Sequence, residues 1–409
     1  MALFPDPLHD EFASWILGFA PYGGGDVGEV EVLATQVTKA DDDSFFAAFS
    51  GFAETLIEQG DQAASAGHRA TARDCYLRAS AFLGVAYHVL YGKPVDPRLV
   101  AAFHTQMDTF DKAMALGTPP AERLEIPYEG THIPAYFLRA PAFPDAVRPT
   151  ILIGGGWDST MVENHLGMGV AALERGYHVL LHDGPGQGRL LIDEGLVLRH
   201  DWEAVVTPVV DAALTLDLVD PAAIVYQPWS LGGYMAPRVA AFEHRLAAVV
   251  ADPGQMDVGG KLVGGLRLLG LTDDQAARLP ALDPDFAATA RTFLESDRNL
   301  NWAIIRRGFW TNGATDVGSM VAELWKWKLD ADTVARISCP VLVTSAEGDR
   351  ASTDSQDLFD AITGPKEHIH FTAAEGAGMH CEMLNRSNAN RRILDWLDDT
   401  LAAQRSASA

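Results

Sequence analysis

A serine on a tight turn, joined by an acid and a histidine supplied later in the chain, would make an acyl-transfer nucleophile. Three places in this 409-residue sequence offer those groups. Ser230 lies in Ile224-Val225-Tyr226-Gln227-Pro228-Trp229-Ser230-Leu231-Gly232-Gly233-Tyr234. A strand runs into a sharp turn carrying the serine, and paired glycines let a helix start close to that strand. The N-terminus of the helix would favour negative charge developing at the hydroxyl. Pro228 stands where the G-x-S-x-G pattern has glycine; it lacks an amide hydrogen and fixes φ near about −65°, so the turn must leave room for its ring. The plain alternative is a Ser-Leu-Gly-Gly helix start with no chemistry.

The partners follow in the order serine, acid, histidine that goes with such a turn. Cys339 to Ser345 reads as a late strand, and Asp349 lies in the loop Ala346-Glu347-Gly348-Asp349-Arg350 behind it. A carboxylate there can bond an imidazole, fix its tautomer and stabilise the imidazolium. Glu347 is the alternative acid, and a turn or cap role would also account for Asp349. His380 lies on Glu375-Gly376-Ala377-Gly378-Met379-His380-Cys381, a loop after the last strand that can reach back over the sheet edge. Alone, it would read as a surface-loop residue.

Two backbone N–H groups are expected to hold an oxyanion: Leu231, next to the serine, and Trp157 on the loop Gly154-Gly155-Gly156-Trp157, with Gly156 as its neighbour. Asp158 follows directly. It would position a polar substrate group, act as acid or base, or merely cap a helix running from Ser159 to Leu173. Asp183-Gly184-Pro185-Gly186-Gln187-Gly188 reads as a structural turn. The histidines form no H-x-x-x-H or H-E-x-x-H array, and the glycine run is followed by no Lys-Ser/Thr. No metal and no cofactor are expected.

The elements that must hold these residues change character at Pro120. Before it the chain reads as helical: Phe45, Phe46, Phe49, Phe52 and Leu56 recur at helical spacing with Gly60 as a stop. Further helical stretches run from about 67 to 91 and from 97 to 116. After it, residues 125–128 and 133–138 flank Glu129-Gly130-Thr131 as a β-hairpin. Short apolar runs then alternate with helices, at 150–153, 177–182, 223–227, 247–251, 341–345 and 367–371. That alternation indicates an α/β fold with a mostly parallel sheet covered on both faces. The expected organisation is a helical N-terminal lid or dimerisation region at 1–120, a core at 121–253 and 339–405, and a helical cap insertion at 254–338 carrying Trp302, Phe309, Trp310, Trp325 and Trp327. Those aromatics would line an apolar pocket or form the insertion's own core. The tail from Ser406 to Ala409 is made of small residues.

Composition narrows the function classes. Thirty-one basic and fifty-five acidic residues give a formal charge of −24, which disfavours nucleic acid and anionic membrane as partners. Cys75, Cys339 and Cys381 are odd in number and widely separated, and the first residues show neither a basic nor an apolar targeting segment. No apolar run approaches the roughly 18 residues of a membrane span. A cytoplasmic protein acting on a small molecule is expected.

Together these residues resemble the 2,6-dihydroxypseudooxynicotine hydrolase family, whose relatives include fungal polyketide-shortening hydrolases and fermentation-respiration switch proteins. The resemblance rests on the segment from Gly67 to Ser80, Ile126-Pro127-Tyr128-Glu129-Gly130-Thr131, Gly155-Gly156-Trp157-Asp158-Ser159-Thr160, the Asp183 to Gly188 turn, the elbow, and Gly378-Met379-His380-Cys381. It implies an α/β-hydrolase fold with helical parts covering the site, a homodimer, a triad of Ser230, Asp349 and His380, and a functional acid at Asp158. It further implies hydrolysis of a carbon–carbon bond beside a ketone in a 1,3-dicarbonyl compound. A carboxylesterase or lactonase, an acyl transferase or cyclase, and a catalytically silent interaction protein are the competing readings. Pro228 departs from the family pattern, as does Trp157, which stands where relatives often carry a smaller aliphatic residue.

Overall fold

The computed structural model describes residues 3–37 and 41–408. Of the terminal stretches read above, Met1, Ala2 and Ala409 lie outside the described residues. Five helices open the chain: α1 (Pro7–Phe19), α2 (Val27–Gln36), α3 (Asp42–Ser65), α4 (Arg69–His88) and α5 (Pro97–Ala115). Their starts are written locally. Asp6 accepts from the Leu8 and His9 N–H groups with proline at the first turn of α1, and Asp96 with Pro97 opens α5 the same way. Leu8, Phe12, Ile16 and Phe19 form the buried face of α1 at helical spacing.

Gly60 does not stop α3. The helix continues through it to Ser65, and a Cβ at Gly60 would stand 2.6 Å from the Tyr76 ring of α4. The glycine serves helix–helix approach, and the break comes at Ala66-Gly67 instead.

Eight strands follow: β1 (Glu122–Tyr128), β2 (Thr131–Leu138), β3 (Arg148–Gly154), β4 (His178–His182), β5 (Val219–Tyr226), β6 (Ala248–Ala251), β7 (Val341–Ala346) and β8 (Lys366–Phe371). They form one sheet in the order β1-β2-β4-β3-β5-β6-β7-β8. The β1–β2 and β2–β4 pairs are antiparallel and all others parallel. The apolar runs alternate between two cores. Ile151, Ile153, Val225 and Val250 face a core shared with α1–α5 and the C-terminal helix (Arg386–Ser408), which runs on through most of the small-residue tail. Leu152, Ile224, Val249 and Val343 face the other, shared with the helices Glu203–Ala213 and Gly232–Ala240.

The chain between β6 and β7 is helical, and its aromatics divide. Phe309 and Trp327 join the second core, Trp302 and Trp310 reach the core of the N-terminal helices, and Trp325 is exposed. Trp302 donates its indole N–H to the His88 carbonyl at the end of α4. The segment Asn301–Gly308 is a π-helix, in which Phe309 N–H bonds back five residues to Ile304. Among the described residues no helix is long and apolar enough to cross a membrane.

Candidate active site

Ser230 stands directly beyond β5 with φ +59°, a left-handed conformation that costs a serine on the order of 1–3 kcal/mol and must be held by its surroundings. Several contacts hold it. Gln227 N–H bonds the Leu152 carbonyl of β3, Gln255 Nε2 donates to the Ser230 carbonyl at 2.7 Å, and Gly233 N–H closes the turn onto the same oxygen. The Pro228 ring fits because residue 232 is glycine: a Cβ there would lie 2.5 Å from the proline Cβ. The departure from G-x-S-x-G is therefore accommodated across the turn by the first glycine of the Gly-Gly pair.

The structure brings Ser230, His380 and Asp349 together. Ser230 Oγ lies 2.9 Å from His380 Nε2, and His380 Nδ1 lies 2.9 Å from Asp349 Oδ2. With Nδ1–H given to the carboxylate, Nε2 is free to accept the serine hydroxyl. Asp349 is reached through the loop after β7, and its Oδ1 also accepts from Ala351 N–H at 2.8 Å. Burial pushes its carboxyl up, but the imidazole and that N–H outweigh burial and hold it below the usual carboxylate range. Glu347 points elsewhere, accepting from Ala373 N–H.

His380 is about half exposed, at 47 %, into a cleft above the sheet edge. Loss of bulk water pulls its pKa down, yet its neighbours hold it well above the ordinary value. The neighbours that raise it are Cys381, whose Sγ is 3.5 Å from Nε2, and the Asp349 carboxylate; burial pushes the Cys381 thiol itself up to about 11.

The glycine loop after β3 lies against the elbow. A Cβ on Gly156 would stand 2.5 Å from the Trp229 carbonyl oxygen and 2.7 Å from Ser230 Cβ. Gly156 N–H is already given to Ser159 Oγ, and its carbonyl accepts from Gln187 Nε2 at 2.6 Å. The Asp183 to Gly188 turn thus buttresses the loop. Among the described residues the Trp157 and Leu231 N–H groups make no hydrogen bond within the protein, so both are free to donate to a bound oxygen.

Asp158 is not a helix cap. That helix starts later, at Met161, with Thr160 as its cap and Glu163 completing a capping box, and π-type bonding interrupts it at His165–Gly169. Asp158 instead lies in the cleft wall, 9 % exposed, with Oδ1 3.4 Å from Arg307 Nη1. Its Oδ2 lies 3.8 Å from His88 Nε2; the other ring nitrogen of His88 is committed to the Gly84 carbonyl.

Several wall residues were not singled out in the sequence, and three of them carry charge or a large ring into the cleft. Glu11 and Trp15 come from α1, and Arg307 from the π-helix. Glu11 is exposed into the cleft, where the surrounding walls push its carboxyl above the ordinary value and nearby Asp158 adds to the rise. Arg307 packs its guanidinium over the rings of Trp157, at 4.6 Å, and Trp302, at 5.0 Å. Residues five apart leave an ordinary helix on different sides, so only the i→i+5 bonding brings Trp302 and Arg307 into one contact. The signal in the sequence was an arginine pair embedded among aromatics.

No family model matches the chain. The hydrolase LUC6 of Fusarium sp is 30% identical over 98% of this chain and 99% of its own length. The 20-hydroxy-prefusarin hydrolase FUS2 of Gibberella moniliformis is 28% identical over 95% of this chain and 96% of its own. Among solved structures, 2,6-dihydroxy-pseudo-oxynicotine hydrolase superposes with a TM-score of 0.69 at 21% identity, covering 95% of this chain and 96% of that one.

Proposed function

The chain belongs to the α/β-hydrolase family of fungal hydrolases represented by LUC6, and from that membership we propose that it is a serine hydrolase cleaving a carbon–carbon bond in a polyketide-like 1,3-dicarbonyl compound. The observation that carries the proposal is the unbroken relay from Ser230 through His380 to Asp349, with a strained serine at the end of β5. FUS2, by its name a hydrolase of 20-hydroxy-prefusarin, supports the substrate class.

In this mechanism Ser230 Oγ attacks one carbonyl carbon and passes its proton to His380 Nε2, while Asp349 stabilises the imidazolium. The alkoxide is held by the Trp157 and Leu231 N–H groups. Collapse re-forms the C=O, breaks the bond to the carbon between the two carbonyls, and expels that fragment as an enolate. His380 returns its proton to the enolate carbon, giving a neutral ketone and an acyl-Ser230. Water, deprotonated by His380, then attacks the ester and releases a carboxylic acid and the free serine. The acyl enzyme of an ester would be resolved identically, so only the leaving group separates the two reactions.

Fluorophosphonate labelling followed by peptide mass spectrometry tests the nucleophile, with the adduct expected on Ser230. Incubation with an aryl 1,3-diketone should then yield one carboxylic acid and one ketone in equal amounts. Folded protein that takes up no label at Ser230 sinks the proposal.

A further inference from the structure

The mechanism leaves one charge without a holder. When the C–C bond breaks, its electron pair moves onto the second carbonyl oxygen, several ångströms from the first oxyanion. In a cleft walled by Phe12, Trp15, Trp157 and Trp302, that charge would be poorly solvated. We propose that Arg307 is the second anion-binding group of the cleft, donating to the enolate oxygen of the departing fragment. This rests on the reading above and deepens it.

The placement of Arg307 supports the role. Its side chain is 17% exposed and lines the same cleft as Ser230 and His380. Nε donates to the Ala303 carbonyl at 3.3 Å and Nη1 contacts Asp158. Among the described residues, Nη2 has no acceptor within the protein, and the residue lines the cleft. A guanidinium stacked on two indoles, with its plane fixed and one edge unpaired, is preorganised for an oxygen that becomes negative during the reaction. Trp157 is itself pinned, its indole N–H donating to Thr311 Oγ1 at 2.7 Å, and that hydroxyl donates to the Arg307 carbonyl.

The same short segment then serves both anions. Trp157 offers its backbone N–H to the first oxyanion and its ring to Arg307, while Asp158 orients the guanidinium by its carboxylate. This gives Asp158 a positioning role through Arg307 and accounts for a large aromatic at position 157, where a smaller side chain would leave the guanidinium packed on Trp302 alone.

The experiment compares two substrates in wild type, R307Q and R307K: an aryl 1,3-diketone, whose leaving group is a poor enolate, and a p-nitrophenyl ester, whose leaving group needs little help. In R307Q the ratio of diketone to ester kcat should fall about 10²-fold, the scale of losing one preorganised anion donor. In R307K, which keeps the charge, the ratio should be partly restored. Across a series of diketones, the R307Q rate should depend more steeply on leaving-group acidity. Fluorophosphonate labelling and thermal melting confirm that each variant is folded. A ratio unchanged in R307Q, with both rates falling together or not at all, overturns the inference while leaving the parent mechanism intact. A wild-type enzyme that labels at Ser230 but cleaves no diketone overturns the parent reading and this inference with it.

Discussion

Gly156→Ala should disable the proposed oxyanion hole without replacing any residue of the proposed triad. The alanine Cβ would sit 2.7 Å from Ser230 Cβ, 2.5 Å from the Trp229 carbonyl oxygen and 3.0 Å from Leu231 N. Carbon atoms rest about 3.5 Å apart or more, so the loop must withdraw by roughly 0.8 Å. None of the three contacts is a flexible side-chain end, and the elbow is fixed on its other side by Gln255 and by the strand pairing of Gln227. The glycine loop, bonded through Gln187, is therefore the part that moves. A donor at about 2.9 Å would be carried to roughly 3.7 Å, beyond useful hydrogen-bonding distance. Loss of one such donor costs about 10²–10³ in kcat, or about 2.7–4 kcal/mol. The assay is single-turnover acylation by an activated aryl ester, with the melting temperature measured in parallel. Acylation in G156A within threefold of wild type, in a protein that melts normally, would refute the placement of the oxyanion hole against this loop.

Two further outcomes follow from the site's geometry. Because its neighbours, Cys381 and Asp349, hold the His380 imidazole above its ordinary pKa, the imidazole stays protonated, and unable to accept the serine proton, to a higher pH than a free histidine. Activity should therefore rise as pH climbs past that raised value. D349N should move the rising limb of kcat/KM to lower pH while cutting kcat by about 10³–10⁴; an unmoved limb would argue against the pairing. Pro228 and Gly232 should behave as a coupled pair: G232A is expected to cost about 1–3 kcal/mol in urea unfolding by overpacking against the ring. Adding P228G should recover about 0.5–3 kcal/mol of that loss, and simple additivity of the two substitutions would exclude the contact.

What could be read from the sequence divides by range. The grouping of Ser230, Asp349 and His380 was legible because each member sits in a local pattern: a strand entering a Gly-flanked turn, a strand followed by an acidic loop, and a strand followed by a glycine-bearing loop. The central sheet was legible for a similar reason, its buried strands appearing as short apolar runs between helices. The cleft walls were not. Glu11 meets His380 only after α1 has docked, and Arg307 reaches Trp302 only through π-type bonding that no 3.6-residue periodicity reports. Gly60 misled because a glycine that ends a helix and one that admits a neighbouring ring look alike in one dimension. Asp158 stayed open for the same reason, since a carboxylate two residues before Thr160 resembles a cap until the geometry shows that Thr160 takes that part.

The cleft is built by two different kinds of chain. Its reactive groups hang from strand ends of one rigid sheet, whereas much of its wall comes from α1 and the helices between β6 and β7. Replacing Glu11, Ser14 or Trp15 alters what fits without resetting the angle at which serine meets carbonyl. Substrate scope and intrinsic reactivity can therefore drift separately over generations of mutation. In the proposed mechanism Trp157 and Arg307 are the exceptions, and Trp157 the sharper one, since its amide would serve the chemistry while its ring lines the cleft. At position 157 the two traits would be inherited together, and a descendant that changes its diet by altering that residue would also renegotiate its speed.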